Sequence, residues 1–140
     1  MTSSSPINVL IVEDDGLVLM LLEDMARELG YHLVGPVCRL EDALRLALSH
    51  DIDAALLDIN LSGALVYPLA DLLREQGTPF IFSTGYDERV LPTRFRGSPL
   101  LQKPFSLETL KQSLACLKLA AKPRGNRPDA IPASARKLNS

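Results

Sequence analysis

Short segments that are apolar at almost every position constrain this chain most. A strand with one wet face alternates apolar and polar residues. A strand that is apolar throughout needs cover on both faces. Residues 7–12 form such a run, broken only by Asn8, and residues 54–57, 79–83 and 99–102 are short runs of the same kind. Residues 31–37 add a strand whose Gly35-Pro36 suits a sheet edge. Between the runs the spacing turns helical. Residues 17–29 read as a helix closed by Gly30, with Val18, Leu22, Met25 and Leu29 toward the sheet. Residues 40–49 carry Leu40, Leu44 and Leu48 on one face. A loop containing Ser62-Gly63 precedes a helix over 66–76, where Pro68 is tolerated in the first turn. A short helix is expected within 87–95. Ser106 then caps a last helix with Leu107, Leu110, Leu114 and Leu117 on one face. Strands alternating with helices predict a doubly wound parallel α/β sheet with helices on both faces, because parallel neighbours need crossover connections.

Composition excludes several alternatives. The 140 residues fit one domain, and a net charge of -2 argues against a strongly basic nucleic-acid binder. No apolar run is long enough to span a membrane, and residues 1–6 lack the charge and apolar core of a signal peptide, so a cytoplasmic protein is expected. Cys38 and Cys116 have no metal-ligand spacing, and with two histidines, His32 and His50, a zinc site is not expected. Residues 122–140 carry a net charge of +4, which leaves -6 for the rest. With three prolines and few large apolar residues, that stretch reads as a disordered basic tail, and residues 1–6 as a flexible start.

In open parallel sheets, sites lie at the carboxyl ends of the strands. Here those ends carry Glu13-Asp14-Asp15, Asp58, Ser83-Thr84-Gly85 and Lys103-Pro104. Clustered carboxylates repel unless protonated or bridged by a cation. An all-oxygen ligand set without His or Cys favours Mg²⁺. Glu13, Asp14 and Asp58 against Lys103 and Mg²⁺ sum to zero charge, so a bound phosphoryl group has a cation and an ammonium beside it. Phosphoryl transfer needs that combination of positioning and charge stabilisation, and a carboxylate can be the nucleophile.

Four motifs carry a resemblance: Val-Glu-Asp-Asp (12–15), Leu-Leu-Asp-Ile-Asn-Leu (56–61), Phe-Ser-Thr-Gly-Tyr (82–86) and Gln-Lys-Pro-Phe (102–105). In this order and spacing, over roughly residues 7–121, the chain resembles the response-regulator receiver domain of two-component signalling. The resemblance implies a flavodoxin-like fold with five parallel strands in the order 2-1-3-4-5. It implies that Asp58 accepts a phosphoryl group from a sensor histidine kinase or a histidine phosphotransfer protein. Mg²⁺ ligands would be Glu13, Asp14, Asp58 and the backbone carbonyl of Asn60, with Asp15 the alternative if the register shifts by one. Thr84 would be the switch hydroxyl and Lys103 the phosphate-pairing lysine, and the Lys103-Pro104 peptide is often cis in the family.

The chain departs from the family pattern in three ways. Leu100 stands where the family has a switch aromatic, no proline follows the phosphoacceptor loop, and Gly85-Tyr86 follow Thr84. The last form resembles a Phe-Ala-Thr-Gly-Tyr subset of stand-alone receivers commonly paired with HWE-type kinases, in which the loop after Thr84 would be the mobile element. Leu17 and Met20, apolar beside Asp24 and Arg27, are a candidate docking patch for such a partner. With no room for an output domain after residue 121, a stand-alone receiver without nucleic-acid or membrane partners is expected. A weak homodimer and a monomer are both compatible with the sequence. The alternatives are a degenerate receiver acting as a phosphorylation-independent interaction module and a small aspartyl-phosphate phosphohydrolase. The second usually wants Asp-x-Asp after the first strand, and this chain has a contiguous acidic run there.

Overall fold

Alternation along the buried strands divides the interior into two layers. In the computed structural model, which describes residues 6–85 and 91–120, Val9 and Ile11 face one layer while Leu10 and Val12 face the other. The elements are β1 (Asn8–Val12), α1 (Gly16–Glu28), β2 (His32–Val37), α2 (Leu40–Ser49), β3 (Ala54–Asp58), β4 (Asn60–Leu61), β5 (Ala64–Leu65), α3 (Tyr67–Glu75), β6 (Phe80–Thr84), β7 (Leu100–Gln102) and α4 (Leu107–Ala120). The main sheet has the order β2-β1-β3-β6-β7, and all its pairings are parallel. Counted within the sheet, this is the expected flavodoxin-like 2-1-3-4-5, with β2 at an edge. Helices α1 and α4 cover one face and α2 and α3 the other, as the two core clusters show.

Turn chemistry sets the helix ends. Gly30 at φ 89° closes α1, its N–H bonding to the Arg27 carbonyl and that of Tyr31 to the Ala26 carbonyl, the reciprocal pair of a Schellman motif. Gly77 at φ 73° closes α3 in the same way, with Thr78 N–H on the Leu73 carbonyl at 2.8 Å. Ser106 Oγ accepts from Thr109 N–H at 3.1 Å and caps α4 as the sequence predicts. Pro68 lies in the first turn of α3.

Three expectations need correction. The buried face of α1 is centred on Leu19, Leu22 and Ala26; Val18, Met25 and Leu29 lie on its flank. In α2 the buried residues are Ala43 and Ala47, and Leu40 and Leu44 are partly buried around them. Alanine at the line of contact lets a helix approach the sheet closely, so the leucines reach round it and a leucine stripe read alone is displaced. Third, the segment around Ser62-Gly63 is a hairpin, β4 paired antiparallel with β5. Ser62 at φ 55° and Gly63 at φ 97° both have positive φ, as a two-residue type I′ turn requires. Residues 86–90 lie outside the described part, and with them Tyr86 and the start of the helix expected over 87–95; Thr93–Phe95 is a single 3-10 turn. The expected tail over 122–140 and nearly all of the flexible start also lie outside it.

That turn is anchored through Phe95, which is fully buried. Its ring stacks on Tyr67 at 5.6 Å and meets Phe82 edge-on at 5.3 Å. The Arg74 and Arg94 guanidinium groups lie 4.5 and 4.8 Å from its centroid. Arg94 also holds Asp71 on α3 through two contacts, at 2.9 and 3.0 Å. Leu100, where a switch aromatic would stand, is partly buried against this same core. Phe95→Ala is expected to lower unfolding stability by about 3–5 kcal/mol, because it empties a ring-sized space in the core. Arg94→Ala should cost far less, since the pair is half exposed; urea denaturation of both variants checks the contrast.

Candidate functional site

Two neighbouring strand ends bring the acidic residues together. Glu13 and Asp14 follow β1, and Asp58 is the last residue of β3, which pairs directly with β1. One carboxylate oxygen from each of Glu13, Asp14 and Asp58 lies within 4.8 Å of the others. Glu13 is 1% exposed and Asp58 is also buried. Lys103, just beyond β7, reaches in from the other side, its Nζ 2.8 Å from Glu13 Oε1 and 3.5 Å from Asp58 Oδ1. The lysine is positioned by backbone: its N–H donates to the Thr84 carbonyl at 2.8 Å, and the Lys103-Pro104 peptide is cis. Thr84 ends β6 and is buried beside this group of strand ends.

Asp15 has a different task. Its Oδ1 accepts from Leu17 and Val18 N–H at 3.0 and 3.2 Å, so it is the N-cap of α1. Its own N–H donates to Glu13 Oε2 at 3.2 Å, tying the buried glutamate to the helix start. Glu13, Asp14 and Asp58 therefore form the acidic group, and Asp15 stands at its edge as a cap.

The sequence reading missed Ser62. Its N–H and its hydroxyl both donate to Asp14 Oδ2, each at 2.9 Å. Asn60 Oδ1 accepts from Gly63 N–H at 2.7 Å, so the Asn60 side chain is used within the turn. The signal lay in Asn60-Leu61-Ser62-Gly63, a turn-forming stretch just after an acidic strand end, whose reach back to Asp14 spans 48 residues.

The electrostatics follow from this crowding. Burial and the neighbouring Glu13 carboxylate raise Asp58 from 3.8 to about 7, against the pull of Lys103. Burial also opposes ionisation of Asp14, but hydrogen bonds from Ser62 and from the Asp58 carboxyl outweigh it and hold Asp14 below its usual value. Burial pushes Lys103 down, while Glu13 and Asp58 together push it up further, so the ammonium stays charged.

Parallel strands in this order, with acidic residues gathered at their carboxyl ends, define the class as flavodoxin-like α/β. Within it, the response regulator receiver domain model matches residues 9–115, and the chain belongs to that family, the signalling domains of two-component systems. It is similar to the solution structure of SdrG from Sphingomonas melonis Fr1, with 40% identity and a TM-score of 0.72 over 82% of this chain and 98% of that one. The BeF3-activated conformation of SdrG matches at 39% identity and a TM-score of 0.70, over 82% of this chain and 99% of that one. The transcriptional regulatory protein PdtaR of Mycobacterium tuberculosis (strain CDC 1551 / Oshkosh) is 31% identical over 109 residues, 75% of this chain and 53% of PdtaR. The chain thus spans about half the length of that curated relative.

Receiver domains bind Mg²⁺ at an acidic pocket. The residues here fit such an ion, since the donor set is all oxygen and three carboxylates face one ammonium. No helix among the described residues is long and apolar enough to cross a membrane.

A pH dependence follows. Asp58 titrates near 3.8 when unfolded and near 7 when folded without metal. Between those values the folded state holds a proton that the unfolded state has lost, so stability falls as pH rises through this window. In EDTA, the melting temperature of the wild type should drop between the two ends of this window. Asp58→Asn should flatten the drop and melt a few degrees higher than wild type at neutral pH. Thermal denaturation across pH, repeated with Mg²⁺, checks both.

Proposed function

We propose that residues 7–121 form a receiver unit that is phosphorylated on Asp58 in a Mg²⁺-dependent reaction. The observation that carries this reading is the convergence of Glu13, Asp14, Asp58 and Lys103 at neighbouring strand ends. In support, SdrG, 39% identical, has been solved in a BeF3-activated conformation, and beryllofluoride mimics a phosphoryl group on a carboxylate.

In this mechanism an Asp58 carboxylate oxygen attacks the phosphorus of a phosphohistidine on a sensor kinase or phosphotransfer protein. The P–O bond to Asp58 forms as the P–N bond breaks, and the imidazole leaves and takes up a proton. Lys103, held charged by Glu13, pairs with an oxygen of the arriving group. Thr84, at the end of β6, supplies a hydroxyl to another. Glu13, Asp14, Asp58 and the Asn60 carbonyl would hold Mg²⁺, which when bound neutralises charge on the phosphoryl oxygens. Phosphorylation adds about -1.5 to -2 of charge beside Thr84. The domain's own site then also favours hydrolysis of the product, as self-dephosphorylation.

The partner reading rests on α1. Leu17, Met20 and Leu21 are 69, 60 and 52% exposed, and Leu21 joins Val18, Met25, Pro104 and Phe105 in an apolar groove that runs up to Lys103. We propose it as the surface on which a cytoplasmic histidine kinase, of the HWE type by the Phe-Ser-Thr-Gly-Tyr stretch, presents its phosphohistidine.

Acetyl phosphate replaces the kinase in the test. With Mg²⁺, intact-protein mass should rise by one phosphoryl group, about 80 Da by covalent chemistry, and the gain should vanish in Asp58→Ala. Lys103→Ala should lower the labelling rate by about 10²-fold or more, as loss of a charge-stabilising group does. Label that still enters Asp58→Ala overturns the assignment. A wild type that takes no label and does not respond to beryllofluoride is a phosphorylation-independent interaction module.

A further inference from the structure

The hairpin that follows Asp58 does more than lead the chain from β3 to α3. Its tip is bound to the acidic group at one point, the two hydrogen bonds from Ser62 to Asp14 Oδ2. Its geometry leaves little slack. Ser62 and Gly63 form the positive-φ corner, Asn60 Oδ1 fixes Gly63 N–H, and Val66 N–H returns to the Ile59 carbonyl at 2.9 Å. The tip is therefore held at both ends while it holds Asp14. Asp14 needs such a hold. It is less buried than Glu13 or Asp58, and among the described residues no basic side chain forms an ion pair with it. Ser62 gives its outer oxygen two donors, beside the hydrogen bond that Asp14 shares with Asp58.

We propose that Ser62 is a positioning residue for the cation site. It occupies Asp14 Oδ2 and so keeps the carboxylate turned toward Glu13 and Asp58, in the arrangement where their oxygens already lie within 4.8 Å of one another. The inference rests on the Mg²⁺ site proposed above and adds one residue to it. Groups that hydrogen-bond a metal-ligating side chain set its orientation, and their loss commonly weakens metal binding 10–100-fold. Because Ser62 N–H remains after any side-chain change, the lower end of that range is expected.

The choice of variant separates orientation from folding. At φ 55° an alanine is strained, whereas glycine is comfortable. Ser62→Gly removes the hydroxyl and eases the turn; Ser62→Ala removes the hydroxyl and keeps the strain. Amide chemical-shift titration with Mg²⁺ alone gives the dissociation constant of each full-length protein, and thermal denaturation in EDTA gives its stability. Ser62→Gly is expected to bind Mg²⁺ about tenfold more weakly than wild type while melting at the same temperature or higher. Ser62→Ala should bind as weakly as Ser62→Gly and melt lower. Equal or tighter Mg²⁺ binding by Ser62→Gly overturns the positioning role and leaves the metal site standing. So does a loss of affinity that appears only together with a lower melting temperature. A wild type that binds no Mg²⁺ overturns the metal site, and the role of Ser62 with it.

Discussion

Mutual repulsion among three carboxylates is the condition that the rest of this structure serves. Two unit charges about 5 Å apart repel by about 3 kcal/mol at an effective dielectric of about 20. Glu13, Asp14 and Asp58 stand within that range of each other, two of them buried. Lys103 offsets one charge only. The protein keeps the arrangement by fixing the backbone under every member. β1 and β3 pair side by side and cannot separate without losing the central ladder. The Thr84 carbonyl fixes the lysine. The Asp15 N–H ties Glu13 to the head of α1, and the hairpin tip holds Asp14. A frustrated group of charges survives because the parts of the fold that carry it are individually rigid.

The two core layers supply that rigidity. Strands apolar on both faces are locked between α1 and α4 on one side and α2 and α3 on the other, so the strand ends are fixed relative to each other. The long connection from β6 to β7 is held at Phe95 by the Tyr67 ring and the Arg74 guanidinium of α3. The end of β6 and the buried Phe95 are therefore fixed relative to each other.

Much of this was legible in the sequence because the relevant signals are local. Continuous apolar runs imply buried strands, Gly30 and Gly77 end helices, and polar residues immediately after an apolar run stand at strand ends. Glu13, Asp14, Asp58 and Lys103 were found on that last ground. What was not legible depended on tertiary distance or on small residues. Leucines mark a helix face visibly, but Ala43 and Ala47 form the contact line of α2 and Ala26 shares that of α1 with Leu19 and Leu22, and composition gives alanine little weight. Ser62 was read as part of a loop, because the bond that gives it a role closes across 48 residues. Asp15 and Asp14 look alike in the sequence. Only the start of α1 separates a cap from a member of the charged group.

The hairpin between β3 and α3 also bears on how this chain can change over generations. Surface connections are usually where proteins gain and lose residues with least harm. Here a two-residue corner joins two strands of two residues each. A single insertion or deletion would shift the register of this short pair and carry the tip away from the acidic group. This exposed segment should therefore keep a constant length among close descendants of the sequence.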